Sequence, residues 1–153
     1  MKEFKDFYVF YNEACSYSKI AIDEVLCKKD AINFVRQSVD KTILKSYYNI
    51  ANLASCYVTV LNTNVALIKL SLDSMIKNVI EHPDLIYNDY LSLPNIISNP
   101  DKVFQDKKNR LRMFRYINNK LYEVVIKTTK NMNENFLTTF HRCDVSKIKD
   151  KKR

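Results

Sequence analysis

The sequence contains no glycine among its 153 residues, although average usage would place about eleven in a chain of this length. Loops that expose backbone N–H groups to phosphates need glycine at fixed positions. A P-loop, a dinucleotide-binding fingerprint, a kinase glycine-rich loop, an EF-hand and a nucleophile elbow are therefore absent. Their absence excludes ATPases, kinases and the common dehydrogenases.

Cysteine and histidine are too scattered for a zinc site. No C-x-x-C pair and no histidine at ligand spacing accompany the four cysteines, Cys15, Cys27, Cys56 and Cys143. We expect free thiols, no metal and no cofactor. The first 15 residues carry three acidic side chains and no sustained apolar run, so they do not resemble a signal peptide. These features predict a cytoplasmic location, either in a bacterium or in a target cell that receives the protein.

One uncharged stretch is long enough to cross a bilayer. It is Ser46–Ile68, which runs for 23 residues. Asn49 and Asn52 interrupt it, and the Asn-Thr-Asn sequence at 62–64 is typical of a turn between two elements. We therefore expect no membrane partner.

Positive charge is concentrated in the last third of the chain, within a formal net charge of +8. Residues 1–100 contain 10 basic and 11 acidic side chains, whereas residues 101–153 contain 15 basic and 6 acidic ones. A surplus of this kind favours an acidic partner, which is either a nucleic acid or an acidic protein.

Residues 1–62 are predicted to be a helical N-terminal region. A helix from Asp30, its N-cap, to about residue 56 is indicated by apolar side chains three and four positions apart, at Ile32, Val35, Val39, Ile43, Tyr47, Ile50 and Ala54. An earlier helix would carry Ile22, Val25 and Leu26. We interpret the apolar stripe as core or as a docking surface.

The helical part of the following domain, residues 63–145, begins with a short strand over Ala66–Leu70. Ser71 would cap a helix that Pro83 ends after His82. The predicted buried face consists of Leu72, Met75, Ile76, Val79 and Ile80, and the opposite face of Ser74, Lys77, Asn78 and Glu81. A second short helix is predicted around residues 87–97.

Beyond residue 100 the hydrophobic period becomes two, which predicts strands. Arg110–Ile117 and Lys120–Thr129 would form a hairpin around Asn118-Asn119, and Asn135–Arg142 a third strand. We therefore predict an α+β fold in which N-terminal helices precede a small antiparallel sheet with helices packed on one face. Residues 146–153 are predicted to be a basic tail.

Several short motifs resemble one nuclease superfamily. Leu70–Asp84 contains Ser74-x-x-Lys77 and His82-Pro83, and it is followed by Asp89-Tyr90, Leu93-Pro94, Asn99-Pro100-Asp101, Val124–Thr129 and Leu137–Arg142. In this order they resemble the phage-associated branch of the barnase, EndoU, colicin and RelE-like (BECR) nuclease superfamily, over about residues 64–143. The resemblance implies a metal-independent ribonuclease, often a toxin, with its active site on the open face of the sheet.

Cleavage of RNA by its own 2′-hydroxyl yields a cyclic phosphate and needs an acid, a base and cations. We predict His82 and His141 as the acid and base groups. Lys77 and Lys127 would stabilise the negative charge of the phosphate, and Thr139 would position the phosphate group. RNA would also be bound by Arg110, Arg112 and Arg115, with Phe114 and Tyr116 stacking on bases, and by Arg142.

Each candidate also has a structural interpretation. His82 could simply end a helix, His141 could be a core or edge histidine, and Lys77 could be a solvated lysine. The three arginines could protect an edge strand by their charge. The sequence does not decide which face of the sheet Thr139 and His141 share. Thr138 and Arg142 are the alternative pair on the active-site face.

The predicted function is a toxin-like RNA endonuclease that acts on tRNA or rRNA and is restrained by an acidic immunity or antitoxin protein. One alternative is a non-catalytic nucleic-acid-binding or phage structural protein on the same fold. Another is an inhibitor or host-factor-binding protein that acts through its N-terminal helices.

Overall fold

A computed structural model of the chain describes residues 2–25 and 27–143. These residues form helices and strands in the order β1 (Glu3–Phe4), α1 (Phe7–Glu24), α2 (Lys28–Ser38), α3 (Lys41–Leu44), β2 (Tyr47–Asn52), α4 (Ser55–Leu61), β3 (Leu67–Ser71), α5 (Leu72–Glu81), α6 (Tyr87–Tyr90), α7 (Leu93–Ser98), β4 (Lys102–Lys107), β5 (Arg110–Ile117), β6 (Lys120–Thr128) and β7 (Asn135–Arg142). The basic tail predicted at 146–153 lies outside the described residues.

The strands form one open sheet in the order β1-β2-β3-β7-β6-β5-β4. β4, β5, β6 and β7 pair antiparallel, whereas β1 pairs parallel with β2 and β3 pairs parallel with β7. The α+β prediction is therefore confirmed. The prediction of a small antiparallel sheet is wrong, because β1, β2 and β3 extend the antiparallel strands with parallel pairs.

The described residues divide into two compact units. The first holds the residues up to Asn49 together with Leu70–Tyr87, and the second holds Ile50–Lys69 and the residues from Asn88 onward. Each unit thus consists of two chain segments.

The long helix predicted from Asp30 to about residue 56 is wrong. α2 begins at Lys28, which places Asp30 in its first turn, and it ends at Ser38. The Asp40 carboxylate accepts from Thr42 N–H at 2.7 Å and starts the separate helix α3. Residues 47–52 form strand β2, with Tyr47 N–H donating to the Lys2 carbonyl at 2.9 Å. Pairing with a strand distant in sequence has overridden the local helical period.

α5 matches the prediction at both ends. The Ser71 hydroxyl accepts from Ser74 N–H at 3.1 Å, and the helix ends at Glu81, one residue before its C-cap His82. Asn78 was predicted on the polar face and is instead buried. The packing of the first unit explains this difference. Both α1 and α2 pack against α5, so they bury more of its surface than the single apolar face that the sequence predicted.

The hairpin in the second unit was predicted almost residue by residue. β5 and β7 have the predicted bounds and β6 ends one residue earlier, at Thr128. The turn residues Asn118 and Asn119 have φ angles of 50° and 65°, the left-handed values that a two-residue hairpin turn requires. Strand β4 was not predicted, and the single helix predicted around 87–97 is two short helices, α6 and α7.

The core of the second unit lies on one face of β5, β6 and β7. Met113, Val124 and Phe140 are fully buried there, and α7 packs against β5 and β6. The Tyr90 ring of α6 meets the Phe140 ring edge-on, with 5.3 Å between centroids. Within the described residues, no helix combines the length and apolar character needed to cross a membrane.

Candidate functional site

Three polar side chains meet on the opposite face of this part of the sheet. Glu123 of β6 lies across from Phe114 on β5 and from His141 on β7. Arg112 is two residues along β5 from Phe114, so it shares the same face. We refer to Arg112, Glu123 and His141 as the Glu123 cluster.

Both carboxylate oxygens of Glu123 have a partner on a neighbouring strand. Arg112 Nε–H donates to Glu123 Oε2, and His141 Nε2 lies 2.9 Å from Glu123 Oε1. The Glu123 side chain is only 1% exposed, whereas those of His141 and Arg112 are 17% and 27% exposed. The carboxylate is thus enclosed, while both partners reach solvent.

The His141 ring lies between two oxygen atoms. Its Nδ1 is 3.0 Å from the Arg142 carbonyl oxygen, and its Nε2 is 2.9 Å from Glu123 Oε1. The other oxygen of that carboxylate binds the Arg112 guanidinium. The cluster thus joins a carboxylate to an imidazole and a guanidinium.

Apolar residues lie beside Glu123 on the same face. Phe114 and Leu121 are buried, and Phe104 and Cys143 pack against them. The Phe104 and Phe114 rings meet edge-on with 5.6 Å between centroids. Low polarity on this side strengthens the electrostatic interactions of the carboxylate with its two partners.

The structure settles the face that the sequence left open for β7. Thr139 lies opposite Val125 and His141 opposite Glu123, so both belong to the face of the cluster. The register then skips Thr138, whose hydroxyl donates to the Val125 carbonyl at 3.3 Å. Arg142 lies opposite Tyr122, on the other face.

The three arginines predicted as phosphate clamps each donate to an acceptor within the second unit. Arg110 binds the Asp106 carboxylate through Nε at 2.9 Å and Nη2 at 2.6 Å, which holds the pKa of that carboxyl below its usual value. Arg112 belongs to the Glu123 cluster, and Arg115 donates to the Asn99 carbonyl. Arg115 also points to the opposite face of β5 from Arg110 and Arg112. Side chains alternate between the two faces along a strand, and position 115 is an odd number of residues from both.

Lys127 and the cluster share one face of β6. Lys127 is exposed, lies opposite Arg110 on β5, and is four residues beyond Glu123. It therefore lies on the side of the sheet where it was predicted. Its predicted role in stabilising phosphate charge stays a prediction.

Lys77 and His82 belong to the first unit, where both line a groove of about 730 Å³. Lys77 Nζ lies 3.8 Å from Glu81 Oε1, and the backbone N–H of His82 donates to the Asn78 carbonyl at 2.9 Å. The structure thus brings Lys77 and His82 together in one unit and Arg112, Thr139 and His141 together in the other.

A second buried polar pair in the second unit was not predicted. The Tyr122 hydroxyl donates to the buried carboxylate of Asp89, and Lys120 Nζ lies 4.0 Å from that carboxylate. Burial, followed by the hydrogen bond and charge of Asp89, raises the pKa of Tyr122 to about 12, against the opposing effect of Arg142. Tyr122 therefore stays protonated at neutral pH and ties α6 to β6.

Glu123 is the site residue that sequence reasoning missed. It was only included in the predicted strand Lys120–Thr129 and was given no role. A two-residue turn at Asn118-Asn119 sets the pairing of Phe114 with Glu123, so the proximity of Arg112 could have been predicted. The proximity of His141 could not, since it depends on the bulge at Thr138.

Comparisons of the chain with protein-family models, curated proteins and solved structures found no match. In the part of the chain that the structure describes, no group of three or more His, Cys, Asp or Glu residues could hold a metal ion. Fold and site together define an α+β protein with an open mixed sheet and a carboxylate–imidazole–guanidinium cluster.

Proposed function

We propose that the chain is an RNA endonuclease that cleaves by attack of the ribose 2′-hydroxyl and leaves a cyclic phosphate. The main support is the Glu123 cluster, in which a carboxylate, an imidazole and a guanidinium lie on one rigid sheet. These are the three kinds of group that the reaction needs without a metal: a proton acceptor, a proton donor and a cation for the phosphate. The resemblance to BECR nucleases supports the same reaction.

In this mechanism Arg112 turns its remaining N–H groups to the scissile phosphate. His141 turns from Glu123 Oε1 to the leaving group and donates its Nε2 proton to the departing 5′-oxygen. The Glu123 oxygen that this movement uncovers accepts the 2′-hydroxyl proton as the 2′-oxygen bonds to phosphorus. Two protons move, no electrons are transferred to a cofactor, and the products are a 2′,3′-cyclic phosphate and a free 5′-hydroxyl.

Lys127 and Thr139 are proposed as further contacts to the phosphate, because they lie on the same face of the sheet as the cluster. The roles predicted for Lys77 as a charge stabiliser and for His82 as a proton-transfer group stay predictions, since both residues belong to the first unit and the two proton transfers above use Glu123 and His141. Single alanine variants of these four residues test each role in a tRNA cleavage assay, and a variant with wild-type rate removes that residue from the proposal.

The test is the incubation of the purified full chain with total tRNA in EDTA, with mapping of fragment ends. We expect discrete fragments with 2′,3′-cyclic phosphate ends. His141→Asn and Glu123→Gln should each lower the rate by about 10²-fold or more. Lys102→Gln is the control and should keep the rate, because Lys102 is an exposed lysine of the same unit to which no role is assigned. Cleavage that disappears in EDTA and returns with a divalent ion would contradict the mechanism.

The second candidate function is nucleic-acid binding without cleavage. It is favoured by the enclosure of Glu123 and by the internal acceptors of Arg110, Arg112 and Arg115, which suit a purely structural network. This function predicts that tRNA binds but stays intact over the time in which an active preparation would degrade it. His141→Asn would then alter stability and leave binding unchanged.

An acidic protein inhibitor is the partner that fits a toxic nuclease of this charge. The surplus of basic residues after position 100 would speed its association and make the rate fall with salt. Co-purification from the native host tests this partner, and recovery of RNA with no acidic protein would count against it.

A further inference from the structure

The first unit contains a basic groove between α2 and α5. Its cationic side chains are Lys28, Lys29 and Arg36 on α2 and Lys77 on α5. His82, at the end of α5, lies beside them. Ile32, Asn33 and Glu81 complete the described lining. Neither the catalytic cluster nor the proposed reaction uses Lys28, Lys29 or Arg36.

The contacts inside the groove leave hydrogen-bond donors available. Lys28 Nζ donates to the Glu81 carbonyl at 3.2 Å, which uses one of its three N–H groups. Arg36 binds both oxygens of Asp73, at 3.1 and 3.2 Å, and Lys77 lies near Glu81. The four lysine and arginine side chains therefore outnumber the two carboxylates they meet.

The cations are arranged along the groove. Lys28, Lys29, Ile32, Asn33 and Arg36 follow helical spacing and lie along one side of α2. From Lys28 to Arg36 the helix rises by about 12 Å. A row of this length is longer than one small anion and suits consecutive negative groups on a chain.

The size of the groove favours a single strand of nucleic acid over a folded protein as its ligand. A stable protein interface takes roughly 20–30 residues a side, whereas eight described residues line this groove. Its volume of about 730 Å³ is that of a ligand cleft. A basic cleft of this size accepts a phosphodiester backbone more readily than the convex surface of an acidic protein.

We infer that this groove binds the phosphate backbone of a single-stranded nucleic acid, with Lys28 and Lys29 contacting phosphates at one end and Arg36 at the other. The inference does not depend on cleavage. It assigns nucleic-acid contacts to the first unit, whereas the sequence placed the RNA-binding arginines in the last third of the chain.

The experiment measures binding of the full chain to a fluorescein-labelled 2′-O-methyl RNA octamer. This probe lacks the 2′-hydroxyl nucleophile, so binding is measured without cleavage. Lys28→Gln/Lys29→Gln is compared with Lys19→Gln/Lys45→Gln, two exposed lysines of the same unit outside the groove. Inorganic phosphate and adenosine 5′-monophosphate serve as unlabelled competitors.

We expect the groove variant to bind the octamer about tenfold or more weakly than the control variant. Its plot of log affinity against log salt, between about 50 and 200 mM, should be flatter by up to about 1.4 units. The octamer should bind far more tightly than phosphate or the mononucleotide. Equal losses in both variants, no measurable binding, or a mononucleotide as tight as the octamer would each overturn the inference.

A measurement on the wild-type chain covers the case in which the groove variant does not fold. Addition of the unlabelled octamer should shift the backbone amide NMR signals of residues 28–36 and 77–82. Shifts confined to other parts of the chain would overturn the inference. The proposed nuclease function has a separate readout, which is cleavage of tRNA. A wild-type chain that binds the octamer but does not cleave tRNA would contradict the mechanism and leave the groove assignment in place.

Discussion

The carboxylate of Glu123 is enclosed, whereas its partner Arg112 reaches solvent. We therefore expect replacement of Arg112 and replacement of Glu123 to lower the free energy of unfolding by different amounts. Arg112→Met leaves a buried carboxylate with one partner fewer, so we expect it to lower the free energy of unfolding by about 3 kcal/mol. Glu123→Met should cost less, because the groups it leaves behind are partly hydrated. Urea unfolding of both variants measures the difference.

Arg110→Met is the control for that comparison. The Arg110–Asp106 pair is more exposed, with side chains 34% and 25% accessible, so its loss should cost at most about 1 kcal/mol. If Glu123→Met proved more destabilising than Arg112→Met, the enclosure of the carboxylate would not be what makes the loss of its partner costly.

Tyr122 links stability to alkaline pH. Its pKa is about 12 in the folded chain, against 10.0 for an unperturbed tyrosine. The folded state therefore holds the phenolic proton more tightly, and the stability from this group is complete below about pH 10 and is lost as pH rises from about 10 to 12. The free energy of unfolding should fall over that interval, and less steeply in Tyr122→Phe. Urea unfolding at several alkaline pH values measures it, and parallel curves would contradict the assignment.

At the scale of elements, the turn between β5 and β6 depends on two asparagines in left-handed conformation. Asn119, with φ of 65°, tolerates this region, whereas a β-branched residue does not. We expect Asn119→Val to destabilise the chain by about 1–2 kcal/mol and Asn119→Gly by no more than a few tenths. Thermal unfolding compares them. Equal destabilisation by valine and glycine would show that the Asn119 side chain, and not its backbone angle, stabilises the turn.

The hairpin and α5 could be predicted because their signals are local. Asn118-Asn119 between two alternating segments sets a register, and Ser71 and Pro83 mark both ends of a helix. Strand β2 could not be predicted, since Tyr47–Asn52 also fits a helical stripe and becomes a strand only by pairing with β1 and β3. Elements that depend on distant partners carry no sequence signal of their own.

The same division between local and distant signals applies to the candidate site. Arg112 and His141 were each singled out from residue type and strand position. Their common partner Glu123 was missed, because a carboxylate in a strand looks like a solvated one until both neighbouring strands are placed. The groove residues Lys28, Lys29 and Arg36 were missed for a similar reason, as α2 and α5 are separated in sequence.

At the scale of the whole molecule, the charge distribution predicts that RNA binding depends strongly on salt. Ten of the 25 basic residues lie within the first 100 positions, where acidic residues balance them, and the surplus follows. The sequence therefore places the RNA contacts on Arg110, Arg112 and Arg115. In the structure two of these arginines are paired with carboxylates, so RNA must compete for them.

This competition makes the triple variant of Arg110, Arg112 and Arg115 to glutamine informative. If all three contact phosphates, the plot of log affinity against log salt for the 2′-O-methyl octamer should flatten by about two units. If only Arg115 does so, because its acceptor is a neutral carbonyl, the change should be about 0.7 units. Arg115→Gln alone separates the two cases, since it would then reproduce the whole effect. A slope that none of these substitutions alters, but that Lys28→Gln/Lys29→Gln reduces, would place the phosphate contacts in the first unit and contradict the assignment of RNA binding to the basic last third of the chain.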